Sequence, residues 1–367
     1  MKKRNLFGWF AMVAMVIGTS CSSDEVVNDY SADNAIQFGT YLGRDAQTRA
    51  HIEDLTGLQG HGFGVYAYYT GQDNYDKVNS PANFMRDQKV EFSGGDWVYS
   101  PLKYWPNNTG DKISFFAYAP FNDGNIVVPD ATVKGDPVLT FTVNADVTDQ
   151  VDLLYSNENN LNKTHTSGTG VSEKIKFNFA HALSRLGFEI QCQPELVNGD
   201  KTGEDDDDTQ GNGTLDAATL VTIKKVEVMG TFAKSGWLNL NGGTWTSGTT
   251  EYTTYEFTAA GGEFAITNVT TAEQTLNSNN GYLMFIPKNI SDLQVRVTYD
   301  VTTTDSNLDG GKSVITNVIT SDTFTVNFVQ GKAYKFSLHL GLDDVDFTAT
   351  MSAWEDSSDI AVNVPLN

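Results

Sequence analysis

Phe63-Gly64-Val65-Tyr66-Ala67-Tyr68 and Ile113-Ser114-Phe115-Phe116-Ala117-Tyr118 are the stretches that decide the fold. Both are short and rich in the aromatic and β-branched residues that suit a pleated surface. The same two-residue period returns in Leu139-Thr140-Phe141-Thr142-Val143, Ile175-Lys176-Phe177-Asn178-Phe179 and Val221-Thr222-Ile223. It continues through Val226-Glu227-Val228, Leu293-Gln294-Val295-Arg296-Val297, Phe324-Thr325-Val326-Asn327-Phe328 and Phe347-Thr348-Ala349-Thr350-Met351. Clusters of Gly, Asn and Asp bound these runs, as turns bound strands. Asn241-Gly242 and Asp309-Gly310 are hairpin-type turn pairs. No segment holds a helical period for three turns, and the best short helical candidate is Ala180 to Leu186. Many short strands with frequent turns predict an all-β chain of sandwiches or barrels.

Ahead of these strands lie three basic residues, Lys2, Lys3 and Arg4, then an apolar run from Leu6 to Gly18 and Thr19-Ser20-Cys21. That order is the n-region, h-region and cleavage box of a secretory signal peptide covering residues 1–20. The run is shorter than the roughly 20 residues a membrane span needs. Cys21 stands where a bacterial lipoprotein carries its acyl chains, and each buried methylene adds about 0.8 kcal/mol of membrane affinity. Cys192 is the other cysteine, so with Cys21 acylated no disulfide is expected. The formal charge is −22, and becomes −25 without the three basic residues of the signal peptide. Such a surface repels nucleic acid, which is excluded as a partner.

Composition also suggests where the chain divides. Residues 22–35 read as a polar, acidic tether, and Asn157 to Ser172 as a linker between domains. The expected division is therefore an N-terminal β-sandwich over 50–165 and a C-terminal one over 170–367, with an acidic loop at 198–217. That loop cannot bury enough apolar area to offset its ordering entropy. Within it Asp206, Asp208, Gln210 and Gly211 start like an EF-hand loop, but Ala217 stands where a bidentate Glu is required. No metal or cofactor is expected.

Catalytic patterns do not emerge. His51, His61, His165, His181 and His339 show no metal-ligand spacing, and His181, beside an apolar strand, reads as structural. There is no Gly-x-Ser-x-Gly elbow, Walker loop or Cys-x-x-Cys. Gly60-His61-Gly62-Phe63-Gly64 runs into a strand instead of the helix N-terminus that would hold a phosphate. Tyr66, Tyr68, Trp97, Tyr99, Tyr104 and Trp105 read as sandwich core in preference to a sugar-binding platform. The chain is not expected to be an enzyme.

Five strings in order resemble one family: Phe63-Gly-Val-Tyr-Ala-Tyr68, Trp97-Val-Tyr-Ser-Pro-Leu-Lys-Tyr-Trp-Pro106, Ile113-Ser-Phe-Phe-Ala-Tyr-Ala-Pro120, Phe179-Ala-His-Ala-Leu-Ser-Arg-Leu186 and Gly331-Lys-Ala-Tyr-Lys-Phe-Ser-Leu-His-Leu-Gly-Leu342. Together they are similar to the fimbrillin-like (Mfa-like) lipoproteins of Bacteroidetes. The resemblance implies two transthyretin-like (Ig-like Greek-key) β-sandwich domains and assembly into type V pili. It also implies a precursor carried to the outer membrane by the lipid on Cys21. A trypsin-like surface protease then cuts near the N-terminus, and a strand from another pilin subunit replaces the one removed. Carried onto this sequence, the removable strand holds Ile36, Phe38 and Leu42, and the favoured cut is Arg49-Ala50. At the far end Ile360, Val362, Val364 and Leu366 alternate with Ala361, Asn363 and Pro365. Two readings of that terminus stay open: a strand donated to another subunit, or the last strand of its own domain. The alternative function is a surface glycan-binding lipoprotein of a polysaccharide-utilisation system. A host or bacterial surface glycan or protein is the partner an adhesive subunit would take.

Overall fold

The computed structural model describes residues 34–42, 55–76, 80–164, 174–192, 218–257, 264–266, 274–275, 282–340, 345–353 and 360–362. In chain order the first half holds β1 (Phe38–Tyr41), α1 (Leu55–His61), β2 (Phe63–Gly71), β3 (Met85–Ser93), β4 (Asp96–Val98), β5 (Lys112–Ala119), β6 (Ile126–Val127), β7 (Val138–Thr142), β8 (Leu154–Leu161), β9 (Ile175–Asn178) and β10 (Ala180–His181). The second half holds β11 (Ser184–Cys192), β12 (Thr219–Ala233), β13 (Ser235–Asn239), β14 (Thr244–Ser247), β15 (Thr250–Phe257), β16 (Phe264–Ile266), β17 (Gln274–Thr275) and β18 (Leu283–Phe285). It closes with β19 (Asn289–Thr304), β20 (Lys312–Thr320), β21 (Phe324–Asn327), β22 (Lys332–Leu340), β23 (Val345–Ala353) and β24 (Ile360–Val362). The fold is all-β, as the two-residue period predicts.

The first sheet has eight strands in the order β10-β8-β5-β2-β3-β4-β1-β9. It curls on itself. Phe63 of β2 meets Phe177 of β9 and Phe179 at ring distances of 5.7 and 5.5 Å, although several strands separate them in the sheet. Phe179 alone divides β9, at one edge, from β10, at the other. The enclosed core contains Phe38, Phe63, Val65, Ile113, Phe115, Leu154, Ile175 and Phe177.

β2 and β5 are buried on both faces. Phe63, Val65, Phe115 and Ala117 point into this first core, while Tyr66, Tyr68, Phe116 and Tyr118 belong to a second cluster reaching through the rest of the chain. Their near-continuous apolar composition therefore marks a middle layer, not a solvent-facing sheet. The second core lies between β17-β11-β22-β23-β24 and β15-β12-β19-β20. Phe188 joins the two faces, 5.0 Å from the ring of Phe257 and 5.8 Å from that of Phe336.

β12 absorbs both Val221-Thr222-Ile223 and Val226-Glu227-Val228 in one 15-residue strand. Its buried apolar residues change from odd to even positions, and the register shifts between Ile223 and Lys225, as a bulge demands. The predicted turn pairs both sit in hairpins. Gly310 has φ +90° in the β19–β20 loop and Gly243, next to Asn241-Gly242, has φ +59° in the β13–β14 loop.

Three sequence expectations need correction. Ala180–Leu186 is not helical: it forms β10 and the start of β11, while the one described α-helix is the seven-residue α1. The polar run Asn157–Leu161 is strand, not linker, because its amides are satisfied across a seam. Asn157 Nδ2 donates to Leu240 O (3.1 Å) and Asn241 O (2.8 Å), and Asn159 Nδ2 to Asn241 Oδ1 (3.2 Å). Finally, β9 and β10, expected in the second unit, hydrogen-bond in the first sheet. Conversely β7 pairs with β13 inside a four-stranded sheet drawn from both halves, β14-β13-β7-β6. The acidic loop 198–217 lies outside the described residues.

Candidate functional site

β1 is inserted between two strands that come from distant parts of the chain. It runs antiparallel to β4, with Phe38 opposite Trp97, and parallel to β9, with Phe38 opposite Ile175 and Tyr41 opposite Asn178. Ile175 N–H donates to Gln37 O (2.8 Å) and Phe179 N–H to Tyr41 O (2.9 Å). On the other side Ile36 N–H donates to Lys103 O (2.9 Å) and Trp105 N–H to Asn34 O (3.1 Å). Removing β1 would thus open a slot with donors and acceptors on both walls, the geometry in which an extended segment adds to a sheet.

Side chains seat the strand as firmly as its backbone. Ile36 and Phe38 are each 1% exposed, and the Phe38 ring meets Tyr99 at 5.3 Å, Phe177 at 5.5 Å, Phe115 at 6.0 Å and Phe63 at 6.2 Å. Leu42 packs half-buried on the same core. Two polar ties hold the outer side. Trp97 Nε1–H donates to Thr40 Oγ1 (3.0 Å), and Tyr99 OH donates to Ile36 O (2.8 Å). Burial pushes the Tyr99 phenol up to about 12, so it remains a donor throughout the physiological range.

Between Trp97 and the isolated bridge of Ala35 to Tyr104, the neighbouring chain loops away from β1. The result is a cleft of about 380 Å³ whose wall includes Ala35, Gln37, Trp97, Val98, Leu102 and Tyr104. Lys174 and Asp96 form an ion pair across it.

Ile36, Phe38 and Leu42 pack on one core, with Thr40 held by Trp97. Cys21, Arg49 and Ala50 lie outside the described residues; the Arg49-Ala50 bond falls between β1 and α1. Ile360 and Val362 form the ends of β24, an edge strand that pairs antiparallel with β23 over Met351↔Ile360 to Ala349↔Val362. Val364 and Leu366 lie outside the described residues. Trp97, Tyr99 and Lys174 as groove walls were not foreseen; the Trp97–Pro106 string was the available signal.

Other candidates resolve into structure. Gly62 has φ +71°, and a Cβ there would come within 2.5 Å of Val90 O, while one on Gly64 would lie 2.2 Å from the Tyr118 ring. The glycine run is thus a close-packing device. His181 Nδ1 lies 2.8 Å from the fully buried carboxylate of Asp152. Tyr66, Tyr68, Tyr99 and Trp105 are core residues. Among the described residues no group of three His, Cys, Asp or Glu side chains could hold a metal ion.

Comparison with known proteins gives one consistent picture. The model of the fimbrillin-like family matches residues 48–354. The chain is 24% identical to the fimbrium subunit Fim1C of Phocaeicola vulgatus, over 96% of this chain and 97% of that protein. A crystal structure of a fimbrial protein from Bacteroides vulgatus aligns with TM-score 0.64 and 20% identity, covering 88% of this chain and 99% of that one.

Proposed function

The chain belongs to the fimbrillin-like family, and on that premise we propose that it is a structural or adhesive subunit of a cell-surface fimbria, assembled by strand exchange between subunits. The observation that carries this reading is the position of β1. It is a short strand at the chain's start, laddered on both sides, and followed within a few residues by Arg44 and Arg49. The matched family span supports it from another direction: it begins at residue 48 and ends at residue 354, leaving out β1 at one end and β24 at the other.

In this reading the precursor is a lipoprotein held at the outer membrane through Cys21. A trypsin-like surface protease cuts Arg49-Ala50, β1 leaves, and a strand from another pilin subunit fills the slot between β4 and β9. The C-terminal segment Ile360–Leu366 is what this chain donates in turn to a neighbouring subunit, since β24 is a short edge strand that can leave its sheet without breaking a second ladder.

Limited trypsin treatment tests this, with mass spectrometry and electron microscopy of the product. The expected outcome is a folded remainder starting at Ala50 and present in filaments. A first cut within 198–217 that destroys the fold, or filaments whose subunits keep residues 34–42, overturns the proposal. Deletion of residues 360–367 should stop polymerisation and leave a folded monomer; an unfolded product returns those residues to their own domain.

A further inference from the structure

We propose that β1 underfills its groove, and that the cleft beside Gln37 receives a large apolar side chain from the strand that replaces it. This inference rests on the strand-exchange reading and adds a criterion for the partner.

The segment leading into β1 alternates between buried and exposed residues. Ile36 and Phe38 fill the core, each 1% exposed, whereas the residues on the opposite side are Ala35, Gln37 and Gly39. Ala35 and Gln37 border the cleft and are small or polar, whereas its wall, apart from the Lys174–Asp96 pair, is apolar. Val98 and Leu102 are left 40% and 53% exposed, with Trp97 and Tyr104 beside them around about 380 Å³ of open cleft. An apolar wall opposite a glutamine is an uncompleted contact, since apolar surface gains by leaving water. A strand placing Leu, Met or Phe at the position of Gln37 keeps every main-chain bond of β1 and buries that wall as well.

The same test applied to this chain's own terminus has a definite result. Seated so that Ile360, Val362, Val364 and Leu366 face the core, it would turn Ala361, Asn363 and Pro365 outward. None of them is large. The cleft therefore fits better a donor strand of different sequence, from another type of subunit, than the terminus of a second copy.

The experiment uses the full chain and its Gln37→Leu variant, each cut with trypsin, and follows release of the β1 fragment by mass spectrometry of the separated peptide. Gln37→Leu should slow release about tenfold or more, the effect of burying one leucine side chain. Leu102→Ala added to that variant should return the rate toward wild type, and Leu102 is exposed enough for the fold to tolerate the change. Equal release from wild type and Gln37→Leu overturns the cleft inference and leaves strand exchange standing. A wild-type fragment that stays bound after cutting, and is not displaced by excess peptide of the sequence Asn34–Leu42 carrying Leu at position 37, overturns the exchange reading itself.

Discussion

Phe38→Ala is the sharpest probe of the groove. The side chain is fully enclosed, and its ring touches four others, from Phe63, Tyr99, Phe115 and Phe177, at 5.3 to 6.2 Å. Truncating a buried phenylalanine costs about 3–5 kcal/mol, the lost transfer free energy plus the cavity left behind. Phe63 and Phe115 stand on β2 and β5, which are laddered to each other, so the site has little means of collapsing and the upper part of that range applies. For a unit of this size about 1 kcal/mol moves Tm by roughly 2–4 °C, so the first transition should fall by about 8–20 °C. Differential scanning calorimetry on the uncut chain measures it directly. A loss below about 1 kcal/mol would mean that β1 lies loosely on the first core, and a loss shared equally by every transition would mean that the two cores unfold as one.

Three further outcomes are expected. Gly64→Ala should destabilise by about 1–3 kcal/mol, because its Cβ would lie 2.2 Å from the Tyr118 ring, whose hydroxyl is fixed 2.6 Å from Asp87 Oδ1; chemical denaturation reads the loss. Asp152→Ala should cost about 1–3 kcal/mol by removing the buried carboxylate that His181 Nδ1 hydrogen-bonds, again seen in the denaturation midpoint. Arg296 grips Glu227 at 2.6 Å through both Nε and Nη2 and holds its carboxyl below the usual 4.5. A depressed carboxylate stabilises fully above its unfolded value and loses that contribution as pH falls through the folded one. The stability gap between wild type and Glu227→Gln should therefore be full at pH 7 and shrink only below about pH 4.5, as a pH series of urea melts would reveal.

The strands were legible because each half-buried run carries its period in its residues, and even the bulge of β12 shows as the phase change between Ile223 and Val226. Pairing was not legible. Nothing in Phe38 or Ile175 announces that they become parallel neighbours across more than a hundred residues, since ladder bonds are made by a backbone that is the same everywhere. Asn157–Asn160 misled because asparagine is a turn residue when solvated and a good seam residue when its amide finds carbonyls, here those of Leu240 and Asn241. The groove was half legible: Ile36, Phe38 and Leu42 showed the strand, but the wall that receives it comes from Trp97 to Tyr104 and from Lys174.

The sheet shared by both halves has a mechanical meaning. Five residue pairs, Val138–Thr142 against Ser235–Asn239, cross between them. Beside this ladder Asp136 accepts from Tyr75 OH, Asn239 Nδ2 and Asn241 Nδ2. Two beads on a string would lengthen at the string as soon as a filament is pulled. Here a tug at one end must load several bonds at once before the halves can part, so the subunit transmits force as a single stiff link, and compliance in the fibre falls to the joints between subunits.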